Sequence, residues 1–141
     1  RFVPQGNHHI TVRFLGESDA LYDVTEAMHE AVCDAKPFLL RLGGYGYFTH
    51  GGARTSFIRL SGGINELDRI HSTLESALWE RGFVHGRGRF DPHITLGRAV
   101  EHDKLTLTVP NEAFWARSIV LYESNNVKGQ MQYTPLHTES F

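Results

Sequence analysis

The sequence repeats one tetrapeptide pattern, first as His9-Ile10-Thr11-Val12 and again as His93-Ile94-Thr95-Leu96. In a β-strand successive side chains point to opposite faces, so each copy places its histidine and threonine on one face and its aliphatic residues on the other. Each copy therefore predicts a strand with an apolar side in a core and an imidazole and a hydroxyl on the opposite side. Two such strands are able to line one cleft.

The repeat has to be weighed against chance, because the chain contains nine histidines. A bare His-x-Thr triplet is expected about 0.6 times in a chain of this composition. His71-Ser72-Thr73 is interpreted as such a chance match, since it lies in a stretch with helical periodicity. With isoleucine in the middle and an aliphatic residue after threonine, the expectation falls to roughly 0.005. The longer pattern is therefore informative.

Length and composition are those of one soluble domain. The 141 residues are 40% hydrophobic and 21% charged, and no apolar run approaches the length of a membrane span. A formal net charge of -2 argues against tight binding along a nucleic-acid duplex, although a local phosphate site stays open. The single cysteine, Cys33, is expected to be a buried thiol without a chemical role. We expect a monomeric cytoplasmic protein that needs no cofactor and no metal and does not enter a membrane.

Helical periodicity occurs twice. After the first motif, Ser18 or Asp19 is able to cap a helix that Pro37 ends, and its apolar positions are Leu21, Val24, Met28 and Val32. The clearer helix comes later and is closed by Gly82. Its apolar stripe consists of Leu67, Ile70, Leu74, Ala77 and Leu78.

Strand patterns surround these two helices. The two motifs predict strands, the first over residues 8–15. Further strands are predicted over residues 38–42, 55–60, 104–109 and 117–122. We interpret the glycine-rich residues 43–48 as a turn or mobile loop, residues 123–132 as a polar loop, and the end of the chain as irregular.

This order of elements favours an α+β domain with largely antiparallel sheets over a doubly wound nucleotide fold. A helical pattern accompanies each motif strand. We therefore expect two related lobes, and a site between them that takes one histidine from each.

Two histidines across a cleft suit attack on a phosphodiester. One neutral imidazole is able to deprotonate water while the other, protonated, donates to the leaving oxygen, so the chemistry requires no metal. The threonine hydroxyls are able to bind the non-bridging phosphate oxygens. Arg98 follows the second motif closely enough to reach a bound anion. Tyr47 and Phe48 are candidates for stacking on a nucleobase, as single-stranded RNA is commonly held.

Both motifs, with their flanks, resemble a known family. Residues 3–17 read VPQGNHHITVRFLGE and are similar to the signature Pro-x-x-Asn-x-His-h-Thr-h-x-Phe-Leu-Gly-Glu, in which h is apolar. Residues 90–98 read FDPHITLGR and are similar to the signature Pro-His-h-Thr-h-x-Arg. The chain thereby resembles the two-histidine (2H) phosphoesterases, in the LigT-like group of RNA 2′,3′-cyclic phosphodiesterases and 2′-5′ RNA ligases. The resemblance covers nearly the whole chain.

The resemblance implies a bilobal fold with two largely antiparallel sheets, helices outside, and a central cleft that both motifs face. It also implies opening of an RNA-terminal 2′,3′-cyclic phosphate to a 2′-phosphomonoester, in some members alongside 2′-5′ RNA ligation. By analogy, His9 would donate the proton to the leaving 3′ oxygen and His93 would activate water. Thr11 and Thr95 would bind phosphate, with Arg98 assisting. The acid and base labels would exchange for a different product isomer.

Family members usually begin with another strand and helix before the first motif, whereas Arg1 stands only a few residues ahead of it here. We therefore expect a single 2H phosphoesterase domain over residues 1–141 that lacks this N-terminal portion.

The sequence alone leaves three alternatives open. The chain could be a non-catalytic module that keeps the cleft and binds RNA ends or nucleotides. It could be a metal-dependent hydrolase, given its many histidines, although no His-Glu-x-x-His or cysteine-based metal spacing is present in the sequence. If it is a metal-independent enzyme, its substrate could instead be a cyclic phosphate on a small metabolite or a 2′-5′-linked oligonucleotide.

Overall fold

Two helices and two sheets make up the computed structural model, which describes residues 2–4, 6–98 and 109–141. The elements are α1 (Leu21–Val32), β1 (Phe38–His50), β2 (Ala53–Gly62), α2 (Ile64–Glu80), β3 (His93–Arg98), β4 (Ala113–Ala116), β5 (Ser118–Val127) and β6 (Gln130–Ser140). One sheet has the strand order β3-β2-β1-β4, and β5 pairs with β6 in the other. The predicted α+β class is confirmed. β4 was not predicted, and the strand expected over residues 104–109 lies, except for Val109, outside the described residues.

The chain divides into two compact units. The first comprises Arg1–Val12, Leu39–Ile64 and Asp91–Phe114, and the second comprises Arg13–Phe38, Asn65–Phe90 and Trp115–Phe141. The expectation of one histidine motif in each lobe differs from this division, because both motifs belong to the first unit. The physical reason is direct pairing between the segment of the first motif and β3.

α2 is the helix that the apolar stripe predicts, and its buried side chains are the five predicted ones. The chain leaves α2 through a left-handed glycine, Gly82, with φ +89°, two residues after the last helical residue. The N–H groups of Gly82 and Phe83 donate to the carbonyl oxygens of Trp79 and Leu78, at 3.1 and 3.0 Å. This pair of hydrogen bonds is the Schellman C-cap, which favours glycine because of its positive φ. His71 lies inside α2, so the third His-x-Thr triplet is helical, as predicted.

α1 buries the predicted positions Val24, Met28 and Val32 but leaves Leu21 exposed. Cys33 is also exposed, which corrects the expectation of a buried thiol. It comes one residue after Val32, and one residue turns a helix by about 100°, which carries the side chain away from the buried face. No helix among the described residues is both long and apolar enough to span a membrane.

The glycine-rich residues 43–48 belong to β1, which corrects their interpretation as a loop. At Gly43 a Cβ atom would stand 3.0 Å from the carbonyl oxygen of Arg59, and at Gly46 it would stand 2.9 Å from the ring of Phe57. These glycines therefore allow β1 and β2 to approach closely. Turn-forming composition and close strand packing select the same residue type, which is why the sequence was misleading here.

The β1–β2 hairpin and the β5–β6 hairpin both close with two-residue turns. Gly51-Gly52 has φ values of +58° and +81°, and Lys128-Gly129 has values of +53° and +80°. Positive φ at both positions is typical of the type I′ turn. The predicted polar loop and irregular tail are therefore wrong, because β5 and β6 form a continuous hairpin. The strand predicted over residues 117–122 matches the first half of β5. The side chains in the rest of the hairpin are mostly exposed and show no apolar alternation in the sequence.

The first motif does not form the continuous strand predicted over residues 8–15. An isolated antiparallel bridge joins Ile10 to Ile94 of β3. Before the bridge the chain turns, with the Asn7 N–H donating to the Pro4 carbonyl oxygen at 3.0 Å and Gly6 at φ +92°. This turn interrupts the ladder on one side of the motif. The second motif forms β3 as predicted.

Glu75 on α2 is the centre of a charged cluster in the second unit. Arg13 Nε donates to its carboxylate at 2.5 Å, and the Gly86 N–H also donates to it at 3.2 Å. Ring nitrogens of His71 and His85 lie 3.7 and 3.6 Å from the carboxylate oxygens. The side chains of Arg13 and Glu75 are only 9% and 13% exposed. Burial raises the pKa of Glu75, but the Gly86 N–H and Arg13 together lower it by more, so the pKa lies below its usual 4.5.

Candidate active site

The two motifs are neighbours in the first unit, joined by the bridge between Ile10 and Ile94. In an antiparallel bridge, the residue before one partner lies opposite the residue after the other. This geometry predicts that each histidine lies across from the threonine of the other motif: His9 across from Thr95, and His93 across from Thr11. Because alternate residues of an extended backbone share a face, we expect the two imidazoles and the two hydroxyls on one side, opposite the isoleucines.

A backbone carbonyl oxygen two residues earlier in the chain holds each imidazole through Nδ1. The distance is 2.7 Å from His9 to the Asn7 oxygen and 2.7 Å from His93 to the Asp91 oxygen. A carbonyl oxygen only accepts, so Nδ1 carries a hydrogen in both the neutral and the charged imidazole. Nε2 is then the nitrogen that gains or loses a proton. This geometry suits either histidine as acid or as base.

Two phenylalanine rings lie close to the His93 ring. Phe57 of β2 is only 3% exposed, and its ring centroid lies 5.4 Å from that of His93. Phe48 of β1 lies 6.1 Å from His93, nearly perpendicular to it, and is 46% exposed. Phe57 pairs with Thr95 on one side and with Gly46 on the other, so these residues share one face of the sheet. Phe48 therefore lies beside the second motif, on a strand and not in the predicted loop.

Gly46→Ala is expected to disturb the Phe57 ring and, through it, His93. A methyl group at position 46 would stand 2.9 Å from two atoms of that buried ring. We expect the free energy of unfolding to fall by about 1–3 kcal/mol, as for other overpacked sites. Chemical denaturation measures this loss, and the His93 ring resonances in NMR spectra should shift.

Gly44→Ala is the matched control, because Gly44 lies on the same strand and a Cβ there meets nothing within 4 Å. If both variants unfolded at the same denaturant concentration as the parent protein, Gly46 would have no packing role.

Arg59 and Asp91 extend the site beyond His93. Arg59 of β2 pairs with His93, its guanidinium carbon lies 5.0 Å from the centroid of the Phe57 ring, and its Nη2 lies 3.3 Å from the Asp91 carboxylate. Arg59 and Phe57 were missed in the sequence. Alternation within β2 indicated that they share a face, but only the register with β3 shows that this is also the face of His93 and Thr95.

The other residues proposed from the sequence are less closely associated with this cluster. Arg98 is the last residue of β3 and pairs with Thr55, while its side chain is outside the described part of the structure. Tyr47 lies beneath the guanidinium of Arg54, at 4.9 Å from the ring centroid. Within the described ranges, no three His, Cys, Asp or Glu side chains are grouped so that they could hold a metal ion.

Known proteins with related sequences and folds include a cyclic phosphodiesterase and LigT. An RNA 2′,3′-cyclic phosphodiesterase from Aeropyrum pernix is 33% identical over 97 residues, which are 68% of this chain and 55% of that protein. The match thus spans little more than half the length of this relative. The crystal structure of apo LigT from E. coli has a TM-score of 0.78 at 26% identity, covering 99% of this chain and 79% of LigT. LigT complexed with 3′-AMP has a TM-score of 0.78 at 27% identity, covering 99% and 80%.

A model of the family itself matches nearly the whole sequence. The family is described as the 2′-5′ RNA ligase superfamily, and the match extends over residues 3–127. It includes both histidine motifs, and it confirms the resemblance that these motifs indicated. The chain belongs to the 2′-5′ RNA ligase superfamily.

Proposed function

We propose that this protein hydrolyses RNA-terminal 2′,3′-cyclic phosphates to 2′-phosphomonoesters by metal-independent acid/base catalysis. The bridge between Ile10 and Ile94 supports the proposal, because side-chain alternation about this bridge would bring two imidazoles and two hydroxyls to one face. The Aeropyrum pernix relative is named for this activity, and LigT has been crystallised with 3′-AMP. Both relatives support a nucleotide end as the substrate.

In the proposed reaction, His93 takes a proton from water through Nε2 and the water oxygen attacks phosphorus. The bond between phosphorus and the 3′ oxygen breaks, and protonated His9 gives its Nε2 proton to that oxygen. The product carries a 2′-phosphate and a free 3′-hydroxyl. The two imidazoles then regain their starting states by proton exchange with solvent.

The neighbouring side chains complete this proposed site. The hydroxyls of Thr11 and Thr95 donate to the non-bridging phosphate oxygens, where negative charge develops during attack. Arg98 contributes a positive charge at the end of β3. The exposed ring of Phe48 stacks on the terminal nucleobase, a sequence-tolerant contact that suits RNA ends.

The decisive experiment incubates the protein with an oligoribonucleotide that ends in a 2′,3′-cyclic phosphate, with and without a strong chelator, and identifies the product. A 2′-phosphate formed in both samples is the expected result. A 3′-phosphate would reverse the assignment of acid and base, and loss of activity with chelator would favour the metal-dependent hydrolase. Binding without turnover would favour the non-catalytic module.

The same assay, followed across pH, tests the two-histidine mechanism. One imidazole has to be neutral and the other protonated at the start of each turnover, so we expect a bell-shaped profile of kcat/KM. A rate that stays constant from acid to alkaline pH would rule out this mechanism.

A further inference from the structure

Arg59 lies on the face of the sheet that carries His93 and Thr95, but on β2, the strand next to β3. It pairs directly with His93, so the two Cβ atoms are expected about 4.5–5.5 Å apart on the same face. The proposed phosphate cradle lies on the other side of His93, between β3 and the segment of His9. A ligand of Arg59 is therefore distinct from the phosphate that the histidines would cleave.

Two neighbours orient the Arg59 side chain. Its guanidinium carbon lies 5.0 Å from the centroid of Phe57, a ring that is itself buried against His93. Its Nη2 lies 3.3 Å from the Asp91 carboxylate, and both side chains of this ion pair are 57% exposed. Stacking on a buried ring preorganises the guanidinium, which then presents its donors to the solvent side of the sheet.

The Asp91 carboxylate is a weak partner for this guanidinium. Exposed ion pairs contribute little to stability, because water and salt screen them. A phosphate group binds a guanidinium through two parallel hydrogen bonds and is able to replace a monodentate carboxylate. The Asp91 carboxylate thus binds Arg59, beside His93, at a position where a phosphate group would be able to replace it.

We propose that Arg59 binds the backbone phosphate next to the terminal cyclic phosphate of RNA, displacing Asp91, and that the protein thereby prefers an oligonucleotide end to a cyclic mononucleotide. This inference rests on the proposed function. A cyclic mononucleotide has no second phosphate, so it cannot use this contact.

The test compares kcat/KM for 2′,3′-cyclic AMP with kcat/KM for a short oligoribonucleotide ending in a 2′,3′-cyclic phosphate. Arg59→Gln should lower the ratio of oligonucleotide to mononucleotide kcat/KM about tenfold, through the KM of the oligonucleotide. Asp91→Asn should raise the same ratio, because it removes the competing carboxylate. Added salt should reduce the ratio of the parent protein more than that of Arg59→Gln.

Arg54→Gln is the matched control, since Arg54 lies on the same strand and also stacks on an aromatic ring, that of Tyr47. It should leave the ratio unchanged. Equal losses on both substrates in Arg59→Gln would leave the ratio unchanged and would show that Arg59 only positions His93. No loss on either substrate would also overturn the proposal.

Failure of the proposed function is recognised separately, because the parent protein would then hydrolyse neither substrate. In that case, fluorescence anisotropy with a labelled oligoribonucleotide ending in a 3′-phosphate measures binding directly. Binding about tenfold weaker in Arg59→Gln than in the parent protein would still support the phosphate contact. Equal affinity of the two proteins would refute it.

Discussion

Replacing His93 by alanine is expected to lower kcat/KM for opening of a terminal 2′,3′-cyclic phosphate by about 10²–10⁴-fold, the usual contribution of a positioned acid or base. His9→Ala should cause a loss in the same range. In the proposed mechanism both histidines act in the same reaction step, so the double variant should lose much less than the product of the two single losses. Steady-state hydrolysis of the oligonucleotide measures all three effects.

His93→Asn separates proton transfer from positioning. An asparagine amide is able to donate to the Asp91 carbonyl oxygen as Nδ1 does, at 2.7 Å in the parent protein, but it cannot exchange a proton in the role of Nε2. We therefore expect His93→Asn to be as inactive as His93→Ala while its thermal unfolding midpoint stays close to that of the parent. His8→Ala, at the exposed neighbour of His9, is the control and should retain activity. Activity above one tenth of the parent value in His93→Asn would contradict the acid/base role.

Glu75→Ala is expected to cause the largest loss of stability among these variants. It leaves the Arg13 guanidinium, whose side chain is 9% exposed, without its counterion, and it removes the acceptor of the Gly86 N–H. Breaking a mostly buried ion pair from one side costs about 3 kcal/mol of unfolding free energy. Denaturant unfolding at neutral pH measures this loss.

The loss of stability in Glu75→Ala should depend on pH. The pKa of Glu75 in the folded protein lies below its usual 4.5, so the charged carboxylate contributes its full stabilisation above about pH 4.5. The contribution decreases as pH falls through the lowered pKa. The difference in unfolding free energy between the parent protein and Glu75→Ala should therefore shrink on acidification below pH 4.5.

Two comparisons make this prediction specific to the ion pair. Glu80→Gln, at an exposed position of the same helix, should change stability by no more than about 0.5 kcal/mol. The double variant of Arg13 and Glu75 should lose less stability than the sum of the single losses, because the second substitution removes a group that is already unpaired. Additive losses, or a pH-independent difference, would show that Glu75 acts only by packing.

Elements with a strong local period were predicted well from the sequence. The apolar stripe of α2 and its glycine cap depend on residues within one or two turns of each other, so the 3.6-residue period and Gly82 were sufficient. β3 was likewise evident from the alternation in the second motif. The β5–β6 hairpin was only partly predicted, because the strand expected over residues 117–122 covers the first half of β5 and the mostly exposed side chains of the rest carry no apolar alternation. β1 was cut short because its glycines were attributed to a turn.

The sequence by itself determined which chemical groups this protein presents: two histidines and two threonines in a repeated pattern, with a period that places each pair on one face of an extended segment. Only the tertiary structure decided that Ile10 bridges Ile94, that both motifs belong to one unit, and that Phe57 and Arg59 accompany His93. Side-chain alternation is a local property of the backbone and is written in neighbouring residues. Strand register joins residues far apart in the chain, and it is set by the packing of whole strands against each other.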